Sequence, residues 1–323
     1  MPTPALEIRD ATEQDLDAVT DIVNRANPWD APTSTEVVRW ALGRLDANRP
    51  HAHFVAVAQR RVVGIAFVRY APHLQPLAFD IDVDPANQRT GIGTQLFRRV
   101  IDVVRGEPRL AMLVSESSEG GLGFAAKNGF IERSRMFESE LSLADFDAER
   151  FVPSGGRQLG TDIRFSTLAR EDSPTLRRAL HGLTQEVSED IPTPEPIPPV
   201  AYEEWEGDWI GGPLATPDLF VLAISDDRPV AFTQIFTTPD GTAYHRLTGV
   251  ARAHRGRGLG LAVKAVALRM AKDRGIPRVR TENDTPNTHM LAINDMLGFK
   301  RLPGIIRFDL ELNPAKPMQT SWA

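Results

Sequence analysis

Two stretches of this chain have the residue types to hold an anion on bare backbone. Each is a strand ending in valine, followed five residues later by a glutamine or arginine that opens Q/R-x-x-G-x-G. The first is Val83 with Gln88, Arg89, Thr90, Gly91, Ile92 and Gly93. The second is Val250 with Arg255, Gly256, Arg257, Gly258, Leu259 and Gly260. Glycine lets the backbone come close to a ligand. A long amphipathic segment follows each turn, and a helix N-terminus offers unpaired amides and partial positive charge. Turn and helix together suit a pyrophosphate. For one such turn alone, the competing reading is glycine used only for tight strand-to-helix packing. A P-loop would need G-x-x-x-x-G-K-[ST], which the chain lacks. A dinucleotide turn would need G-x-G-x-x-G inside a βαβ unit, with an acid ~20 residues on. Here an antiparallel hairpin precedes the turn.

Further groups could do acid–base or hydrogen-bonding work. Asn283, Asn287, Met290 and Asn294 follow the second turn. Counting +3 and +7 from Asn287 puts Met290 and Asn294 on one helical face, where they could line a groove. Asn287 could equally be a helix cap. His245, on the strand entering the second turn, could serve as a base near neutral pH or simply pack. Asp80 and Asp82 share one face of the strand entering the first turn and read as solvated strand charges. The segment Tyr202-Glu-Glu-Trp-Glu-Gly-Asp-Trp209 could wall a site for a cationic amine by charge and cation–π contact, or could be a solvated anchoring segment. The histidines show no metal-binding spacing, so no metal is expected.

The elements that must position these groups come in duplicate. Ile8-Arg-Asp-Ala-Thr12 matches Ile163-Arg-Phe-Ser-Thr167, and Arg61-Val-Val-Gly64 matches Arg228-Pro-Val-Ala231. The glycine turns match each other, and Asn128-Gly-Phe130 matches Leu297-Gly-Phe299. The offsets grow slowly from 155 to 167 and 169 in one order, which implies two copies of one fold. The extra residues of the second copy fall in Glu186–Trp209. Its prolines, within Ile191–Pro199, exclude a regular helix or central strand. Each copy reads strand, helix or helices, hairpin, strand, glycine turn, helix, strand, helix, strand. The first copy places strands at Leu77–Val83 and Arg109–Ser115 around a helix at Gly91–Arg105. The second places strands at Tyr244–Val250 and Arg278–Glu282 around a helix at Gly258–Arg274, then a helix at Asn287–Leu297 and a last strand at Ile305–Leu312. The stretch Leu259–Ala271, with Lys264 and Arg269, reads as amphipathic.

This order, with the paired turns and terminal Gly-Phe, resembles the GNAT acyltransferase superfamily over nearly the whole chain, twice. The resemblance implies an α/β (α+β) fold of two tandem domains, each a mixed, mostly antiparallel sheet flanked by helices. The expected limits are 1–150, a linker at 151–160, and 161–323. It further implies acetyl-CoA as co-substrate, its pyrophosphate on the turn amides and its pantetheine in a splay beside Val83 or Val250. Similar enzymes often carry a sulfur-protonating tyrosine four residues before the terminal glycine. Those positions here are Ala125 and Asn294, neither a phenol. The asparagines favour the second copy as catalytic, with Asn294 and His245 as candidate groups and the first copy as a degenerate half. The expected activity is direct acetyl transfer to a primary amine of a small molecule or peptide. A non-catalytic acyl-CoA-binding or regulatory protein is the alternative.

Composition sets the outer bounds. The 323 residues suffice for two domains at roughly 150 each. A net charge of -6 supplies no basic field for nucleic acid. The absence of cysteine excludes disulfides, thiolate ligands and an acyl-cysteine intermediate, and suits the cytoplasm. No run reaches the ~18 apolar residues of a membrane span, and Met1–Glu7 lacks signal-peptide features. A monomer or homodimer is expected.

Overall fold

In a computed structural model, residues 6–43, 50–71, 77–151 and 162–312 are described. The expected linker lies outside them except for Phe151. The elements are β1 Glu7–Asp10, α1 Leu16–Ala26, α2 Thr35–Gly43, β2 Ala52–Ala58, β3 Arg61–Tyr70, β4 Leu77–Val83, α3 Ile92–Val103, β5 Arg109–Ser115, α4 Glu119–Lys127 and β6 Ile131–Ser142. There follow β7 Arg164–Thr167, α5 Leu168–Glu171, α6 Pro174–Ser188, α7 Tyr202–Trp209, β8 Phe220–Ser225, β9 Arg228–Thr237, β10 Ala243–Val250, α8 Leu259–Asp273, β11 Arg278–Asp284, α9 Thr288–Leu297, β12 Lys300–Arg301 and β13 Ile305–Glu311.

The chain forms two compact units, Met1–Arg135 with Gly304–Ala323, and Met136–Pro303. The expected limits were contiguous, whereas each unit takes its last strand from beyond its own repeat. In the first, the order is β1-β2-β3-β4-β5-β13, with Ile305–Glu311 antiparallel to β5. In the second it is β7-β8-β9-β10-β11-β6, with 136–142 antiparallel to β11. The physical reason is that a sheet edge accepts any strand of matching alternation, so the closing strand need not be local in sequence. Only β4–β5 and β10–β11 pair in parallel within these orders.

Local sequence explains most elements. β2–β3 and β8–β9 turn through Gln59-Arg60 and Asp226-Asp227, all at positive φ, as a two-residue hairpin requires. Leu96, Phe97 and Val100 bury one face of α3. There Phe97 meets Phe79, Phe124 and Phe130 with ring centroids 5.4, 5.2 and 5.9 Å away. Truncating such a core phenylalanine costs about 3–5 kcal/mol. The proline segment after α6 has neither helix nor strand, but Tyr202–Trp209 beyond it is a helix. The amphipathic expectation for α8 is corrected: small alanines let helix and sheet close in on most sides, and Lys264 is buried with Val263, Ala265 and Val266.

Candidate active site

The two glycine turns are built alike. Gly91 and Gly258 cap α3 and α8 at φ +88° and +77°, the left-handed region that side chains disfavour. Arg89 sits at φ +63° where the second turn has Gly256 at +76°. The first turn therefore holds a residue that costs about 1–2 kcal/mol in this conformation. The opening Q/R of the motif acts as a strap. Gln88 Nε2 donates to the Val83 carbonyl at 3.1 Å, and Arg255 Nε donates to the Val250 carbonyl at 3.1 Å. The last glycine faces the strand: a Cβ on Gly93 would stand 3.7 Å from Val83 Cγ2, and one on Gly260 3.5 Å from Val250 Cγ2. The packing and ligand readings of these glycines thus apply to different positions. Gly260 packs, while a Cβ at Gly91 or Gly256 would meet nothing within 4 Å.

Beside each turn the parallel ladder opens. β4 and β5 pair only at Leu77↔Leu110 and Ala78↔Ala111, so 79–83 and 112–115 run on without partners across that gap. β10 and β11 pair from Ala243↔Val279 to His245↔Thr281. A register shift between His245 and Leu247 on the β9 side then carries β10 away. Unpaired backbone groups inside a sheet need partners, and the gaps are where an extended, amide-bearing arm could supply them.

At the mouth of the second gap lies a buried polar row. Lys264, 1% exposed, donates from Nζ to Asn294 Oδ1 at 2.6 Å, and Asn294 Nδ2 donates to Asn283 Oδ1 at 2.6 Å. The ammonium also lies 5.3 Å from the centroid of the Phe299 ring and 3.9 Å from Met290 Sδ. Burial pushes Lys264 down to about 7. His245, 5% exposed, has Nδ1 3.2 Å from Thr233 Oγ1, which in turn lies 2.7 Å from Thr248 Oγ1. Its Nε2 is buried without a partner. Burial, then the charge of Lys264, holds His245 well below its usual range. The imidazole is neutral near pH 7 and a weak base.

The expected asparagine row divides. Met290 and Asn294 both reach Lys264, while Asn287 caps α9, its Oδ1 accepting from the Met290 amide at 3.3 Å. Lys264 is the site residue that reading by motif missed. A signal was present: the turn offset of 167 sets Lys264 against Phe97, a charge where the first copy has an aromatic core residue. Asn294 likewise stands against Ala125, which is fully buried. The first unit fills this region with phenylalanine.

On the opposite face of the central strand the contrast reverses. Asp80 pairs with Arg69. Asp82 is not a solvated charge: half-buried, it accepts a hydrogen bond from Asn27 Nδ2 at 2.8 Å, and burial outweighs that bond to push it up to about 7. The residue before Val250 is Gly249, where a Cβ would lie 2.6 Å from Val187 Cγ2. The second unit thus packs α6 where the first holds a carboxyl. Two of the acids of α7 are held in ion pairs. Glu206 pairs with Arg177 at 2.9 Å and Asp208 pairs with Arg246, whose guanidinium stacks 4.4 Å from Trp209. Trp205 is core. Beside the second turn, Asp190 binds Arg252 at 2.9 Å and Arg255 at 2.6 Å, and these hydrogen bonds hold it down at about 2.

The family model described as "Acetyltransferase (GNAT) family" matches twice, at residues 16–130 and 180–299. A mycothiol acetyltransferase of Rhodococcus erythropolis is 25% identical over 294 residues, 88% of this chain and 92% of its own length. One from Thermomonospora curvata is 26% identical over 243 residues, 74% of this chain and 76% of its own. Among solved structures, a tandem GNAT protein from the clavulanic acid biosynthesis pathway superposes with a TM-score of 0.75 at 20% identity, covering 97% of this chain and 100% of that one. A GCN5-related N-acetyltransferase from Sphaerobacter thermophilus gives 0.69 at 20% identity, covering 98% of each. At that identity the structural likeness speaks for the fold. Among the described residues, no helix is long and apolar enough to cross a membrane.

Proposed function

The chain belongs to the GNAT acetyltransferase family and is an N-acetyltransferase; from that premise we propose that its second unit moves acetyl from acetyl-CoA directly to a primary amine. The observation that carries this is the coincidence of three features in one unit: a glycine-capped helix start, an opened ladder and a buried polar row. In the proposal, amides of Arg257, Gly258, Leu259 and Gly260 hold the pyrophosphate, with Arg255 and Gly256 shaping the turn. The pantetheine amides would pair with β10 beyond His245, along Val250. Asn287 fixes the start of α9, and Asn294 presents an oriented amide. His245, neutral, offers Nε2 as an acceptor rather than as a strong base. With no cysteine in the chain, no acyl-cysteine intermediate forms, and transfer is proposed to be direct.

The first turn, Val83 with Gln88 to Gly93, is proposed as a second CoA-holding site. A specific observation gives it a second reading: Asp82, titrating near neutrality beside that turn, could take a proton from an amine. The acceptor is proposed as a small-molecule or peptide amine, and the names of the two relatives put a mycothiol-type acceptor first. The protein is proposed to be cytoplasmic and to act as a monomer or homodimer.

The test is acetyl-CoA binding and consumption with an amine panel. Gly258→Val, which forces a β-branched residue to φ +77°, should weaken acetyl-CoA binding at the second turn and abolish transfer. Full transfer by that variant, with Gly91→Val inactive, would move the chemistry to the first unit.

A further inference from the structure

We propose that Lys264 is the proton donor to the departing CoA sulfur in the second unit, reaching the carrier from α8. This rests on the second unit being the acetyl-transfer site. An ammonium has three N–H donors. Lys264 uses one strongly on Asn294 Oδ1 at 2.6 Å and at most one weakly on Met290 Sδ at 3.9 Å. It lies against the Phe299 ring, which tolerates a cation without offering a lone pair. Among the described residues, no carboxylate is paired with it. Capacity for one more acceptor remains, and a thiolate at the end of the opened ladder would supply it.

The fold does not require this arrangement. The first unit forms the same sheet and helix with Phe97 and Ala125 at the matching positions, both fully buried. A lysine buried without a counter-ion is costly, so its presence points to chemistry. Its surroundings also set its acidity. His245 is the titratable group facing it from β10. α9 contributes Asn294 and Met290, and β11 contributes Asn283 through Asn294; none of these titrates. With desolvation alone at work, Lys264 is a stronger acid than an ordinary lysine and still partly protonated at neutral pH.

The step balances. The amine nitrogen forms a bond to the acetyl carbonyl carbon, the carbon–sulfur bond breaks, and its electron pair leaves on sulfur. A proton from Lys264 Nζ joins that sulfur as free thiol. The acceptor nitrogen loses one proton to solvent and Lys264 regains one from solvent.

The test uses CoA itself on the full chain, in a Gly91→Val background that confines it to the second turn. The ultraviolet thiolate absorbance of bound CoA is followed against pH for the parent, Lys264→Met and Lys264→Gln. Near the ammonium, the bound thiol should ionise about one pH unit or more below free CoA. In both variants it should ionise at or above the free value, with CoA affinity within about threefold of the parent, because the carrier is held by the turn amides and not by Lys264. With any amine that supports turnover, kcat should fall about 100-fold in both variants while KM for acetyl-CoA holds. Equal thiolate titration in parent and variants at unchanged affinity overturns the role of Lys264. Failure of the Gly91→Val parent to bind CoA overturns the underlying site assignment as well, and appears before Lys264 is touched.

Discussion

Replacing Lys264 by methionine should change how the second unit's stability depends on pH. In the unfolded chain this lysine titrates at its model value of 10.5, and in the folded unit at about 7. Between those values the unfolded state binds one more proton than the native state, so stability rises with pH. The slope is about 1.4 kcal/mol per pH unit for one full proton. From pH 7.5 to 9.5 the wild-type second unit should therefore gain up to about 3 kcal/mol. Below pH 7 the lysine is charged in both states and contributes no slope. Asp82 and His245 change their proton binding below this window, so they do not blur it. Methionine matches the volume and carries no charge, so the slope should vanish. The variant should also be more stable at pH 7.5, less about 1–3 kcal/mol for leaving Asn294 Oδ1 without its donor. Urea unfolding at half-unit pH steps, with the m-value checked for constancy, reads the difference directly. Parallel curves for wild type and Lys264→Met would refute the claim that this ammonium is desolvated without compensation.

Three other outcomes are expected. Gly260→Ala places a methyl at ordinary contact with Val250 and Ile293, 3.5 and 3.6 Å away, so calorimetry should find acetyl-CoA binding within a few-fold and stability raised by up to about 1 kcal/mol. Asp82→Asn should flatten the loss of first-unit stability as pH rises from 4 to 7, because the native carboxyl, pushed up to about 7, holds a proton there that the unfolded one has lost; thermal unfolding across that range measures it. Asp190→Ala removes the acidic partner of Arg255 beside the second turn, while Arg252 keeps Glu189 at 2.8 Å, and should tighten acetyl-CoA binding, more at low salt than at high salt; an affinity unchanged from wild type at both ionic strengths would show that the Asp190–Arg255 pair does not restrain the turn.

The sequence determined what is local or repeated. The Q/R-x-x-G-x-G turns, the helices they start and the strands before them follow from glycine's freedom at positive φ and from hydrophobic period. Duplication made each assignment twice over. Leu77–Val83 and Arg109–Ser115 fall where read. Ala125 and Asn294 hold like places in their own helices, their carbonyls accepting from the Phe130 and Phe299 amides at 3.0 Å each. What only the tertiary structure decided depends on which surfaces meet. A lysine in an alanine-rich helix has the same local signature whether it snorkels to water or points inward. Lys264 became buried because Asn294, Met290 and Phe299 close over it. Asp82 became a near-neutral titrating group because tertiary burial disfavours its charge by more than the hydrogen bond from Asn27, far away in sequence, favours it. Gly249 lost the option of a side chain because Val187 occupies its place. Strand partners at a sheet edge are chosen by geometry at long range, so the borrowing of β13 and β6 across the repeat carries no local sequence mark.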